Sequence, residues 1–350
     1  LPLREALVEQ TIAADGLPEG HGLSADRIVI SAGSNQMLHL LADTLLDPGD
    51  IVLCASPTYF VYVGLLHNLG IRAVGVASDR DGLVSEAVEE VLRSFQRQQQ
   101  LHRVKAIYVV SYYDNPSGST LSLERRRQLV EIAKRWSKEH RIYVIEDAAY
   151  RELRLEGPAL PSLLAADPEG NTVIHTQTFS KSFSPGVRVG WTVLPEVLVG
   201  PVCEQKGNLD FGSPNFTQHV MAAALEQGLV ADQIERLRAA YRIKRDAMLE
   251  ALDEHMGPLS GVRWERPEGG LYVWLEVPAE LSTGPDGPLF EQALAEGVLY
   301  VPGEYCYAAE GVVVPQNRIR LSYGVQSSGR IAAGIAALSR AIVNACEGRR

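Results

Sequence analysis

Lys181 lies in the run Thr178-Phe179-Ser180-Lys181-Ser182-Phe183-Ser184-Pro185-Gly186-Val187-Arg188, directly after the apolar segment 172–176. An amine, two hydroxyls just before it and an arginine beyond it can hold a phosphorylated aldehyde by both ends. The amine takes the aldehyde as a Schiff base, while Thr178, Ser180 and Arg188 take the phosphate. No Gly-rich loop precedes the lysine, which excludes a nucleotide-binding P-loop. The ordinary alternatives are a solvated surface lysine and a strand-start arginine.

Open α/β sheets bind ligands beyond the carboxyl ends of their strands, so polar residues just past apolar runs are the ones to collect. After 28–31 comes Ala32-Gly33-Ser34-Asn35, a glycine turn into a helix whose free N–H groups make an anion site or simply a turn. After 51–56 comes Pro57-Thr58-Tyr59, whose ring can cover a planar ligand or pack at a helix start. After 106–110 comes Asp114-Asn115-Pro116-Ser117-Gly118. This is a turn whatever the function, but its asparagine can donate to a phenolate oxygen. After 142–145 comes Glu146-Asp147-Ala148-Ala149-Tyr150. A carboxylate there can keep a ring nitrogen protonated or can cap a following helix, and Tyr150 is placed to reach the same ligand. The five places together point to pyridoxal phosphate.

The elements that must position these residues alternate. Strand candidates are 28–31, 51–56, 71–77, 106–110, 142–146, 172–176 and 190–194; helical spacing marks 35–46, 59–69, 84–98 and 123–140 between them. That rhythm predicts an α/β fold, a mostly parallel seven-stranded sheet wrapped by helices. Helices dominate 215–255 with a break at Gly228, and after Gly257-Pro258 two or three strands and two helices suggest a smaller C-terminal α+β domain. The predicted division is a large domain, 1–257, and a small one, 258–350. Leu1 to Val8 already reads as an amphipathic helix, so residues preceding it are expected to be absent from this sequence.

Composition narrows the function. With 350 residues, 46% of them hydrophobic, the chain can bury a large core, and a formal net charge of -10 argues against a nucleic-acid or anionic-membrane surface. Cys54, Cys203, Cys306 and Cys346 form no C-x-x-C pair, so neither zinc nor a disulfide framework is expected and a reducing cytoplasm fits. No apolar run approaches the ~20 residues of a membrane span.

The order of motifs resembles the fold type I pyridoxal-phosphate enzymes, specifically the class I/II aminotransferases, whose fold is that of aspartate aminotransferase. The family signature S-x-S-K-x-x-x-P-G-x-R-x-G is matched by Thr178 through Gly190 with threonine in the first serine's place. The resemblance implies that Lys181 forms the Schiff base, that Asp147 pairs with the ring nitrogen and that Tyr59 stacks on the ring. It implies that Asn115 and Tyr150 bind the 3-hydroxyl, and that Ser34, Asn35, Thr178, Ser180 and Arg188 hold the phosphate. Asn317-Arg318-Ile319-Arg320-Leu321 is similar to the family's N-x-x-R-L segment, which makes Arg320 the clamp for the substrate's α-carboxylate. The segments 268–272, 301–303 and 205–214 resemble the branch of 2-aminoadipate, kynurenine and aromatic aminotransferases, and also the C-terminal half of MocR-type transcription regulators. Asp114 stands where the family has glutamine, and the family's N-terminal arm is expected to precede Leu1. The resemblance implies amino-acid and 2-oxo-acid substrates, 2-oxoglutarate among them, and a homodimer. It leaves a C–S lyase, a decarboxylase and a regulator's effector domain as alternatives.

Overall fold

The computed structural model describes residues 2–18 and 20–347. In chain order its elements are α1 (Pro2–Asp15), β1 (Ile28–Ser31), α2 (Ser34–Leu45), β2 (Ile51–Ser56), α3 (Phe60–Asn68), β3 (Arg72–Asp79), β4 (Gly82–Leu83), α4 (Ser85–Arg97), β5 (Val104–Val110), α5 (Leu123–Trp136), β6 (Tyr143–Asp147), β7 (Val173–Thr178), α6 (Phe179–Ser182), β8 (Gly190–Val193), α7 (Glu196–Asp210), α8 (Asn215–Glu226), α9 (Leu229–His255), β9 (Arg263–Trp264), β10 (Tyr272–Glu276), α10 (Pro288–Ala295), β11 (Val301–Pro302), β12 (Arg318–Ser322) and α11 (Ser328–Glu347). The expected N-terminal helix is present from Pro2; Leu1 lies outside the described residues.

Among the described residues one sheet has eight strands in the order β1-β8-β7-β6-β5-β2-β3-β4. The run β7-β6-β5-β2-β3 is parallel throughout, while β8 and β4 run antiparallel to their neighbours. β2 and β7 are buried at every position, as strands covered by helices on both faces must be. Helix starts follow local chemistry: Ser122 Oγ accepts from Arg125 N at α5, and α4 turns Val88, Leu92 and Phe95 inward at helical spacing. Gly228, at φ 73°, separates α8 from α9 as expected.

Four expectations needed correction, three of them in and around the first sheet. The sheet has eight strands rather than seven, because the Asp79-Arg80-Asp81 turn returns as the two-residue edge strand β4. Helix α7 was not anticipated: Pro201 lies inside it and only Leu198, Val202 and Lys206 are buried, so its apolar stripe is thin. No helix follows Asp147, so it caps none; its Oδ1 accepts from Ala149 N at 3.1 Å within a turn.

A second sheet has the order β11-β12-β10-β9, four strands against the two or three expected. Burial alternates along β10 and β12. Val273, Leu275, Ile319 and Leu321 point into the core shared with α9 and α11. Tyr272, Trp274, Arg318 and Arg320 occupy the opposite face, which looks toward the carboxyl ends of the first sheet.

Candidate active site

All eleven predicted site residues line one cavity of about 390 Å³: Ser34, Asn35, Tyr59, Asn115, Asp147, Tyr150, Thr178, Ser180, Lys181, Arg188 and Arg320. It lies at the carboxyl ends of β1, β2, β5, β6 and β7, beneath the Arg320 face of the second sheet. A roomier groove of about 510 Å³ between the ends of α4 and α5 holds none of them.

At one end the donors are arranged for an anion. Gly33, at φ 91°, turns the chain into α2, so Ser34 and Asn35 present first-turn N–H groups. Arg188 Nη2 donates to Ala32 O at 2.7 Å and Nη1 to Ser180 Oγ at 3.2 Å. Thr178 Oγ1 accepts from Ser180 N at 3.2 Å and caps the short helix that carries Lys181. A Cβ on Gly33 would lie 2.6 Å from Arg188 Nη2, and one on Gly190 would lie 2.6 Å from Ser34 N. Only glycine at both positions lets the guanidinium, the strand and the helix start come this close.

At the centre, Lys181 Nζ sits 5.9 Å from the centre of the Tyr150 ring, and no described residue forms a hydrogen bond or ion pair with it. Asp147 is buried, with Oδ2 accepting from Tyr108 OH at 3.1 Å. Burial pushes its carboxyl up to about 6, opposed by the Ala149 N–H, Tyr108, His175 and Lys181. Its neighbour Glu146 points to the other side of the sheet. There it accepts from Ser111 Oγ at 2.7 Å and Leu163 N at 3.0 Å, pairs with His175 Nδ1 at 2.7 Å and meets Arg126 Nη1 at 3.4 Å. Burial alone would raise Glu146, but His175, Arg126 and Ser111 together hold it at about 2.

At the far end, Arg320 Nη1 donates to Asn115 Oδ1 at 2.8 Å. The guanidinium carbon lies 4.5 Å from the Tyr272 ring centre and 5.2 Å from that of Phe60. Arg320 Nε is buried without a hydrogen-bond partner, a donor that a carboxylate would satisfy. Asn115 Nδ2 donates to Tyr150 OH at 3.5 Å, joining this end to the centre. Tyr59 stands just before α3 with its phenol pushed up to about 12, chiefly by burial.

Phe60 and Tyr272 also line the cavity, and Tyr108 stands behind Asp147; none of the three was singled out by the sequence pattern. Phe60 looked like an ordinary helix residue, and Tyr108 like core. Tyr272 had a visible signal, since strand alternation puts it on the Arg320 face, but nothing in the chain said what that face meets. Amine, buried carboxylate, anion cradle and orphaned guanidinium donor form a set that fits pyridoxal phosphate together with an amino acid.

The comparisons agree with this chemistry. An aromatic-amino-acid aminotransferase of Thermococcus litoralis is 32% identical over 97% of this chain and 77% of its own length. A 2-aminoadipate transaminase of Thermus thermophilus is 34% identical over 92% of this chain and 76% of its own. The crystal structure of a multiple substrate aminotransferase from Thermococcus profundus superposes with a TM-score of 0.89 at 31% identity, covering 99% of this chain and 81% of that one. An uncharacterised helix-turn-helix transcriptional regulator of Bacillus subtilis is 30% identical over 90% of this chain, which spans 60% of the regulator. The family of class I and II aminotransferases, which depend on pyridoxal phosphate, matches residues 6–338. The chain belongs to that family.

Proposed function

We propose that this protein moves the amino group of an L-amino acid to a 2-oxo acid, with Lys181 as the group that carries the substrate's α-proton. The observation that carries the reading is the convergence of eleven residues from six separate segments on one cavity. Pyridoxal phosphate, when bound, supplies an aldehyde that combines with amines and a ring that draws electrons from the α-carbon. Ser34, Asn35, Thr178, Ser180 and Arg188 hold its phosphate, and Tyr59 covers the ring. Asp147, ionised beside a protonated ring nitrogen, keeps that proton in place; a cation there lowers the carboxyl that burial alone raises. Asn115 and Tyr150 donate to the 3-oxygen. Arg320 grips the α-carboxylate with the edge that carries its unpaired Nε. Lys181 Nζ, which has no hydrogen-bond or ion-pair partner among the described residues, would then remove the α-proton and return it, across the nitrogen, to the cofactor's aldehyde carbon.

The relatives' names support an aromatic or long-chain amino acid as donor, and 2-oxoglutarate is the acceptor we propose with it. The active form is a homodimer. Leu209, Phe211, Phe216 and Val220 form an exposed apolar patch around the α7–α8 turn, with Phe211 fully exposed. Gln36 Nε2 donates to Asp210 at 2.8 Å, setting this patch beside the phosphate end of the cavity. Residues 1–257 and 258–350 act as two domains that enclose the substrate. The protein works in the cytoplasm; no helix among the described residues is long and apolar enough to cross a membrane.

The regulator relative supports a second reading, in which the same site senses an amino acid rather than turning it over. A panel of amino acids with 2-oxoglutarate decides. Conversion of the bound cofactor to its amine form with release of oxo acid supports the enzyme, whereas ligand binding without conversion of any donor supports the sensor. Lys181→Ala abolishes turnover; retained turnover would overturn the assignment.

A further inference from the structure

Tyr272 stands on β10 one diagonal step from Arg320 of β12, whose register partner is Trp274. Two functions meet on its side chain. Its ring lies 4.5 Å from the Arg320 guanidinium carbon. Its hydroxyl is 3.3 Å from that of Tyr150, and the two rings meet edge-on with centres 5.9 Å apart at 81°.

The hydrogen bonds around Tyr150 have a direction. Arg320 can only donate, so its bond to Asn115 commits the amide oxygen and turns the amide nitrogen toward Tyr150. That nitrogen occupies one lone pair of the Tyr150 oxygen. A hydroxyl has two lone pairs and one hydrogen, so a second donor leaves Tyr150's own hydrogen for whatever occupies the cavity. Tyr272 is the hydroxyl in place to be that donor.

We infer that Tyr272 is a positioning residue: its hydroxyl orients the Tyr150 proton toward the cofactor's 3-oxygen, and its ring braces Arg320 for the substrate carboxylate. The inference rests on the proposed roles of Lys181 and Tyr150. It divides one side chain into two separable parts. The hydroxyl acts on the cofactor through Tyr150; the ring acts on the substrate through Arg320.

The test compares wild type, Tyr150→Phe, Tyr272→Phe and Tyr272→Leu loaded with pyridoxal phosphate, reading the pH midpoint of the visible absorbance and the KM for the best amino donor. A donor at the 3-oxygen draws negative charge away from the neighbouring proton and eases its loss, so weakening that donor raises the midpoint. Tyr272→Phe raises the midpoint in the same direction as Tyr150→Phe but less, by roughly half a unit, the scale of one neutral hydrogen bond. Its KM stays near wild type because the ring remains. Tyr272→Leu shows the same midpoint and a KM raised roughly fivefold, the scale of a partly desolvated cation–π contact. Thermal midpoints of the four cofactor-free proteins, equal within a few degrees, show that the changes are local. A Tyr272→Phe midpoint equal to wild type overturns the hydroxyl's role, and a Tyr272→Leu KM equal to that of Tyr272→Phe overturns the ring's. A wild type that forms no lysine-dependent visible absorbance defeats the proposed function itself, a result distinct from both.

Discussion

Replacing Arg320 by lysine separates charge from shape at the carboxylate end. Arg320 uses Nη1 on Asn115 at 2.8 Å and keeps a buried, unpartnered Nε, the donor proposed for the substrate carboxylate. An ammonium keeps the charge but cannot serve Asn115 and both carboxylate oxygens from one plane, nor lie flat between Tyr272 and Phe60. One hydrogen bond to a charged partner is worth about 1.5–3 kcal/mol, so kcat/KM falls roughly 10- to 150-fold. The loss falls mainly on KM, because the clamp holds ground state and transition state alike. Steady-state kinetics with the best donor measure it. The visible absorbance of the bound cofactor serves as the control, since the phosphate cradle and Lys181 are left intact. An amine without a carboxylate, however poor a substrate, loses little. Wild-type kcat/KM in Arg320→Lys would refute the clamp, and so would an equal loss for that amine.

Asp147 and Glu146 make opposite predictions for stability. A carboxyl raised from 3.8 to about 6 by burial stabilises the fold fully only below its unfolded value, and that contribution is lost as pH rises through about 6. The loss amounts to about 3 kcal/mol. Cofactor-free Asp147→Asn therefore resists urea better than wild type at pH 7.5 and binds pyridoxal phosphate more weakly; coincident urea curves would count against it. Glu146→Ala leaves Arg126 and His175 buried without their carboxylate and destabilises by about 3–5 kcal/mol. A loss below about 1 kcal/mol would show that the network is not needed.

Much of the site was legible because the sheet's logic is local. Each of Ser34, Tyr59, Asn115, Asp147 and Lys181 follows an apolar run, and a parallel sheet puts all such points along one edge. Arg320 was legible only through its resemblance motif, since it reaches the site from the second sheet. Phe60 and Tyr272 stayed hidden for a related reason: Phe60 meets Arg320, and Tyr272 meets Tyr150, across the gap between sheets, which no local pattern encodes. Tyr108 reads as a buried strand aromatic, and only the register of β5 against β6 places its hydroxyl on Asp147. β4 and β11 are two residues each, too short for alternation to register.

In the proposed function Lys181 is the amine that takes the cofactor. Reducing the loaded protein with borohydride fixes any cofactor held through an amine, and mass mapping of its peptides then locates it. The added mass is expected on the peptide containing Lys181 and on no other, and is abolished when an amino acid is added before reduction. A stable adduct on a different lysine, or none in a protein that absorbs in the visible, would contradict it.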